Sequence, residues 1–512
     1  MARLVSYRHT FITSAGTFIS RVSGILKQNV ISYLFGFAAD RFVIAFRLVN
    51  AFRRYIGEGG ALGNAFIPTF QKKLTLEGEQ KAFLFASNVI NIFLVVNISL
   101  TLFLTILIPF YFPLMVIGFR QGTIEYIETL YLYLIMLPYI LFICLYAIFM
   151  GMLNSFKKFF ASAFAPVVFN VFFIVFPILS VRKIGIYSLG FSVLIGVILM
   201  VLCQFYELKQ IGFKYHFYLN FKDDDVKEFF RLFWPTAGNM LFLTFKNLLA
   251  TAFLTFFAGG NIVMLNALML IEVPLGIISI AIGTVLMPLL SRFNSEQNKE
   301  NFKKAIDEAL YLLSYFTIPV SLFFILFPDT VVNSVFRDIM LFFRGNTGRY
   351  TTELLRMTYL ATSIYAVGLF PMSTTVIYEK IYYSLHDAKT PFKVNVIIFL
   401  WSFIFYFSTF IPQLGMYGIF LADTIGVWLT YFYYNIKLRK TLEIKRMEVT
   451  PKLVFLFVLS GVSFILTYPF YYYFYHSLSY PLISILKAGV QLVIFSLIYY
   501  ILTKLFKLEI KR

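Results

Sequence analysis

From Val89 to Leu107 the chain carries no charged residue, a run long enough to cross a bilayer as a helix. Comparable apolar runs recur along the sequence. In hydrocarbon every backbone N–H and C=O must find its partner within the protein, which leaves helices or closed barrels as the spanning structures. Runs of this length are helical spans; barrel strands are about half as long and alternate in polarity. The composition agrees: 60% of the residues are hydrophobic and 13% are charged, against about 25% charged in soluble domains. The sequence therefore predicts an all-α polytopic membrane protein of about fourteen transmembrane helices. The spans are expected near 9–35, 40–57, 84–112, 127–151, 158–181, 186–208, 229–257, 262–289, 304–327, 354–384, 391–412, 415–436, 452–475 and 481–505.

The net charge of +19 would suggest a nucleic-acid partner in a soluble chain. Here it fits basic loops on the cytoplasmic side, and no nucleic acid is expected. Lys72, Lys73 and Lys81, then Lys157 and Lys158, then Lys209, Lys214, Lys222 and Lys227 alternate with loops poor in Lys and Arg. Arg292 to Lys304, Lys389 and Lys393, Lys437 to Arg446, and Lys504 to Arg512 continue the pattern. All fall on one side if both termini are cytoplasmic. The first segment has Thr and Ser where a cleaved signal would have an apolar core, so the first helix is expected to be retained. Cys144 and Cys203 lie inside apolar spans and imply neither a disulfide nor a metal site.

A weak internal repeat divides the chain. NAFIPTF (64–70) is echoed by TVLMPLL (284–290), and NSFKKFFASAFAPVVFN (154–170) by HDAKTPFKVN (386–395), roughly 220–230 residues apart. Repeats of this kind build transporters from two bundles with the substrate site between them. The expected organisation is an N-terminal lobe (1–215, spans 1–6), a C-terminal lobe (216–445, spans 7–12) and two additional helices (446–512). The lobes would be pseudo-symmetric six-helix bundles around a central cavity.

The first two spans hold Arg21, Lys27, Asp40, Arg47, Arg53, Arg54 and Glu58 in otherwise apolar sequence. A charge at the bilayer centre costs roughly 2.5–3.5 kcal/mol on insertion scales, so such residues face a wet or paired interior. On a continuous helix Asp40, Arg47 and Arg54 share a face, with Arg53 beside Arg54; Arg21 shares a face with Gln28, and Lys27 is displaced by about 100°. Gly24, Gly57, Gly59, Gly60 and Gly63 permit close approach or an unwound turn. Guanidinium groups match phosphate oxygens bidentately, so the ligand of this wall is an anion such as a phosphate or diphosphate. The blander alternative is that Arg53 and Arg54 mark a cytoplasmic helix end and Asp40 an external one. No nucleotide-binding glycine loop, no paired histidines and no nucleophile–base constellation is present, so no enzyme, cofactor or metal is expected.

Several motifs resemble the MurJ (MviN) family of lipid II flippases, within the multidrug/oligosaccharidyl-lipid/polysaccharide exporter superfamily. They are Ser20-Arg21-x-x-Gly24 in the first span, and Asp40, Asn50, Arg53-Arg54, Glu58-Gly59 and Ala65-Phe66-x-Pro68 in the second. Ala165-Pro166 to Asn170, Glu272-x-Pro274-x-Gly276 with Gly283-Thr284 and Pro288, and HDAKTPFK (386–393) support them. The likeness covers the first twelve spans in order. It implies alternating-access translocation of undecaprenyl-diphosphate-linked peptidoglycan precursor across the bacterial cytoplasmic membrane. Arg21, Lys27, Asp40, Arg53 and Glu58 would be the substrate contacts. The partners implied are the lipid-linked diphosphate, membrane lipids and the cell-wall synthesis machinery, with the chain itself monomeric.

Three departures from the family pattern stand out. Lys27 and Gln28 replace an arginine and an acid, Met269 replaces an arginine, and Lys246 occupies the place of an acid linked to sodium binding in some members. Two readings of Lys246 stay open: a further diphosphate contact, or an ammonium that substitutes permanently for a bound cation. Other functions also remain open, namely export of another polyprenyl-diphosphate-linked glycan, export of small drugs, or a non-transporting cell-wall scaffold.

Overall fold

A computed structural model describes residues 7–56, 61–158, 160–385, 387, 389–442, 449–477, 481–506 and 508. Among them every regular element is helical. The chain divides into two compact units, Met1–Asn261 and Ile262–Arg512.

The first unit comprises α1 (Tyr7–Phe35), α2 (Ala39–Asn50), α3 (Arg53–Ile56), α4 (Ala61–Glu77), α5 (Glu79–Met115), α6 (Ile124–Met136), α7 (Tyr139–Ser155), α8 (Phe160–Ile184), α9 (Tyr187–Gln210) and α10 (Asp224–Leu254). Gly36, with φ +53°, turns the chain out of α1 through a short 3₁₀ segment into α2. α1 packs on α8, α8 and α7 on α9, α2 on α6, and α4 on α7. α10 lies against α4 and α5, which places the seventh span with this unit by packing. Helix starts beyond the apolar runs carry side-chain caps: Thr123 accepts from the Tyr126 amide, and Asp223 from the Asp225 amide at 2.9 Å. Within the spans, hydroxyls bond back to the preceding turn, as Thr69 does to the Ala65 carbonyl at 3.0 Å, so the group needs no water.

The second unit follows with α11 (Gly260–Pro274), α12 (Ala281–Ser295), α13 (Lys299–Leu326), α14 (Pro328–Val332), α15 (Ile339–Arg344), α16 (Thr352–Val367), α17 (Leu369–Ser384), α18 (Lys389–Phe405), α19 (Tyr417–Thr441), α20 (Val449–Ser477) and α21 (Pro481–Leu505). Its core joins α12, α13, α17 and α19 through Leu290, Ile306, Leu313, Ile377, Tyr382 and Tyr434. α21 is fastened to α13 by polar contacts, the Tyr315 and Thr503 hydroxyls at 2.9 Å and the Tyr499 hydroxyl donating to the Tyr315 carbonyl at 3.0 Å, while α20 packs on α13 through Leu456 and Leu459.

Among the described residues ten helices are long and apolar enough to cross a membrane, or up to twelve if each of two bent pairs is one span. Fourteen were expected from hydropathy. The difference lies in two places. The second span is interrupted, running as α2, α3 and α4 with a break at Ala51 and Phe52. The twelfth, α19, has the length but dilutes its apolar residues with Asp423, four tyrosines and a basic last turn.

Candidate functional site

The Ser-Arg-x-x-Gly stretch of α1 is a docking device on one side and an exposed cation on the other. Asn170 of α8 donates from Nδ2 to the Ser20 carbonyl at 3.1 Å and to the Ser23 hydroxyl at 3.0 Å. The Ser23 hydroxyl in turn donates to the Ser20 carbonyl at 3.0 Å. Ser23 and Asn170 are both buried. A Cβ on Gly24 would stand 3.9 Å from Asn170 Nδ2, an ordinary contact, so the glycine is not needed for close approach there. Arg21, on a different side of the helix, is exposed.

One turn further along, Lys27 leans on the same partner helix. Its ammonium lies 5.5 Å from the ring centre of Phe169 and 5.3 Å from that of Phe173. These rings stand at i and i+4 on α8 and so share a face. Ring quadrupoles hold a cation without neutralising it. A second cation, the guanidinium of Arg53, adds positive charge to the surroundings of Lys27.

Arg53 opens α3, just beyond the break in the second span, and is exposed. It acts electrostatically on Tyr139 of α7 as well. The buried Tyr139 hydroxyl donates to Asn50 Oδ1 at 3.4 Å, and its ring meets Phe46 at 6.0 Å. The end of α2 is thereby tied to α7 immediately before Arg53. Lys27 of α1 and Arg53 of α3 thus act on each other electrostatically, while Arg21 stands exposed earlier on α1.

The other ionisable groups of these spans have different surroundings. Arg41 of α2 pairs with two carboxylates of α6, Glu125 at 3.2 Å and Glu128. Those acids sit at i and i+3, a spacing that places both on one helix face. Arg47 donates to Thr251 Oγ1 at 3.4 Å and Asn261 Oδ1 at 3.3 Å, bridging α2 to the end of α10 and to the last residue of the first unit. Asp40 is buried in the first turn of α2, where a negative charge complements the helix dipole. The second span breaks at Ala51 and Phe52, between Arg47 and Arg54; the Arg54 side chain and the whole of Glu58 lie outside the described residues. Lys246 is half-buried on α10, in the same unit as Arg21, Lys27 and Arg53. Among the described residues no group of three or more His, Cys, Asp or Glu could hold a metal ion.

The sequence pointed to Arg21, Lys27 and Arg53 but to none of their supports. The Phe169/Phe173 pair was legible as an i, i+4 motif, yet one such pair among 64 phenylalanines carries no signal. Chemically, a lysine seated on aromatic rings within a membrane-length helix, with a guanidinium acting on it, can take a multiply charged anion that carries an apolar tail. A guanidinium on such an anion makes charge-assisted hydrogen bonds worth about 1.5–3 kcal/mol.

A model of the family described as "Lipid II flippase MurJ" matches residues 31–486. A "Probable lipid II flippase MurJ" of Bdellovibrio bacteriovorus is 27% identical over 469 residues, covering 90% of this chain and 87% of the relative. The "Lipid II flippase MurJ" of Burkholderia cenocepacia is 25% identical over 450 residues, covering 85% and 84%. Among solved structures, a lipid II flippase MurJ in an inward closed conformation superposes with a TM-score of 0.78 at 24% identity, covering 97% of this chain and 98% of that one. An inward-facing multidrug-resistance MATE transporter of the MOP superfamily gives 0.67 at 14% identity, over 85% and 98%. At these identities the structural matches establish the fold.

Proposed function

The chain belongs to the lipid II flippase MurJ family, and from that premise we propose that it carries undecaprenyl-diphosphate-linked peptidoglycan precursor from the inner to the outer leaflet of the cytoplasmic membrane. The patch of Arg21, Lys27 and Arg53 holds the diphosphate and is exposed to the two faces of the membrane in turn. The observation that carries this reading is Lys27 held over the rings of Phe169 and Phe173 within a membrane-length helix, with the Arg53 guanidinium adding to the positive charge around it. A cation so placed is costly unless an anion joins it. A cationic drug would find the wrong sign of charge there. Glu58, Arg54 and Lys246 are proposed as further contacts. Asp40 and Arg47 are proposed to act from behind, through the position of α2.

Complementation of a bacterium depleted of its own flippase tests the assignment. Arg21→Ala and Arg53→Ala are expected to abolish growth at normal abundance, while Lys27→Arg is tolerated better than Lys27→Ala. Wild-type growth with both alanine variants would overturn the site. At Lys246, the contact reading expects activity in Lys246→Arg and none in Lys246→Asp at any sodium concentration. Sodium-dependent activity in Lys246→Asp would favour the surrogate-cation reading instead. Both termini are proposed to be cytoplasmic, from the one-sided basic loops. Cysteines introduced in 328–353 should then label from outside intact cells, and cysteines in 437–452 should not.

A further inference from the structure

We propose that the extended segment between α9 and α10 is a lipid-binding strap that seats on anionic phospholipid headgroups at the membrane boundary. The inference rests on the chain being membrane-embedded, not on which lipid it transports. The segment leaves α9 directly after a membrane-length apolar helix, Tyr187–Gln210, and ends where α10 begins, at Asp224. It therefore runs at the depth where hydrocarbon gives way to headgroups.

Residues 213–220 have no regular structure, yet one edge of their backbone is held by three side chains of α5. The Asn88 carboxamide makes a two-point contact with Asn220, donating to its carbonyl at 3.0 Å and accepting from its amide at 2.8 Å. Asn91 Nδ2 donates to the carbonyls of Tyr218 at 2.9 Å and His216 at 3.3 Å. The His216 amide donates to Ser87 Oγ at 3.3 Å. Ser87, Asn88 and Asn91 are buried and, at i, i+1 and i+4, occupy one side of the helix. They play the part of a neighbouring strand.

In an extended chain successive side chains point to opposite sides. The backbone groups of 216, 218 and 220 turn to α5, and by the same alternation Phe217 and Leu219 share one face of the segment. Phe217 is 83% exposed, Leu219 41% and Phe221 52%. Three large apolar groups are thus exposed along and just beyond a pinned segment. Aromatic residues at the end of a span are characteristic of the membrane–water interface.

The charge of the strap selects the kind of lipid. From Leu208 to Lys222 the chain carries Lys209, Lys214 and Lys222 and no acidic residue. The acids that follow are engaged elsewhere. Asp223 caps α10, Asp224 pairs with Lys227 at 2.8 Å, and Asp225 pairs with Lys73. The positive charge beside Phe217 and Phe221 is therefore not cancelled within the strap. Each lysine near an anionic surface favours it by a factor of about five.

The test uses the full chain in vesicles, with Cys144→Ser, Cys203→Ser and Leu219→Cys carrying an environment-sensitive fluorophore. Blue-shifted emission is expected, quenched several-fold more by spin-labelled phosphatidylglycerol than by spin-labelled phosphatidylcholine at equal mole fraction. Lys214→Gln with Lys222→Gln should abolish that preference and leave the blue shift. Phe217→Ser with Phe221→Ser should return the emission to its aqueous position. Aqueous emission in vesicles overturns the proposal and would assign the edge to a soluble partner; equal quenching by the two lipids overturns the anionic assignment. Phe217→Trp with brominated phosphatidylglycerol, read against the parent chain, repeats the measurement without a label and with the same two outcomes.

Discussion

Replacing Asn170 by leucine should detach the site from its support while changing neither a charge nor much volume. The wild-type carboxamide makes two hydrogen bonds to α1, at 3.1 and 3.0 Å, in a buried position. A net hydrogen bond is worth about 0.5–1.5 kcal/mol, so the pair contributes about 2 kcal/mol to docking α1 on α8. At 1.4 kcal/mol per decade, that is roughly a thirtyfold shift toward the undocked helix. The Ser20 carbonyl and the Ser23 hydroxyl still have each other, which keeps the cost at the lower end of what a buried orphan would incur. Because Lys27 rests on Phe169 and Phe173 of the same helix, loosening α1 moves one member of the patch. The expected result is a lower unfolding temperature in detergent together with impaired complementation. Ser23→Ala alone should cost about half as much. The double variant Ser23→Ala/Asn170→Leu should fall short of the sum, since both remove the same contact. If Asn170→Leu unfolds at the wild-type temperature and supports wild-type growth, these hydrogen bonds do not position α1.

Three further outcomes separate structural from functional charges and packing. Arg41→Gln leaves Glu125 and Glu128 facing each other without their cation; it should lower thermal stability by about 1–3 kcal/mol, discounted for partial exposure, and Glu128→Gln in the same chain should recover part of it. Gly118→Ala puts a Cβ 2.3 Å from the backbone of Thr255 and Phe256; overpacking of this kind costs about 1–3 kcal/mol or more, visible as a drop in folded yield and unfolding temperature. In the loop before α18, burial raises the Asp387 pKa, but the Thr390 hydroxyl and amide and the Lys437 ammonium outweigh it, so the carboxyl titrates below its ordinary range. A depressed folded pKa stabilises above the unfolded value near 3.9 and is lost as pH falls through the folded one. Amide exchange at the start of α18 should therefore accelerate relative to the rest of the chain below about pH 4, and Asp387→Asn should remove that pH dependence.

Membrane class, the helical character of the spans and the location of the charged stretch were all legible in the sequence. Each depends on a property of one segment at a time: apolar length against bilayer thickness, or a charge inside an apolar run. The helical-wheel argument assumed one continuous helix, whereas the chain breaks at Ala51 and Phe52, and no single residue there announces the break. What distinguishes the arginines was not legible either. Arg41, Arg47 and Arg53 are the same side chain in the same kind of sequence. One is neutralised by acids that lie 84 and 87 positions away, one is bonded across 204 and 214 positions, and one is exposed and acts on the charge of Lys27. A side chain's role in a membrane interior is decided by whichever helix shares its low-dielectric surroundings, and that neighbour is chosen by packing. The strap after α9 shows the same division. Its apolar and basic residues are plain in the sequence, but only the folded chain brings Asn88 and Asn91 against its backbone and turns Phe217 outward.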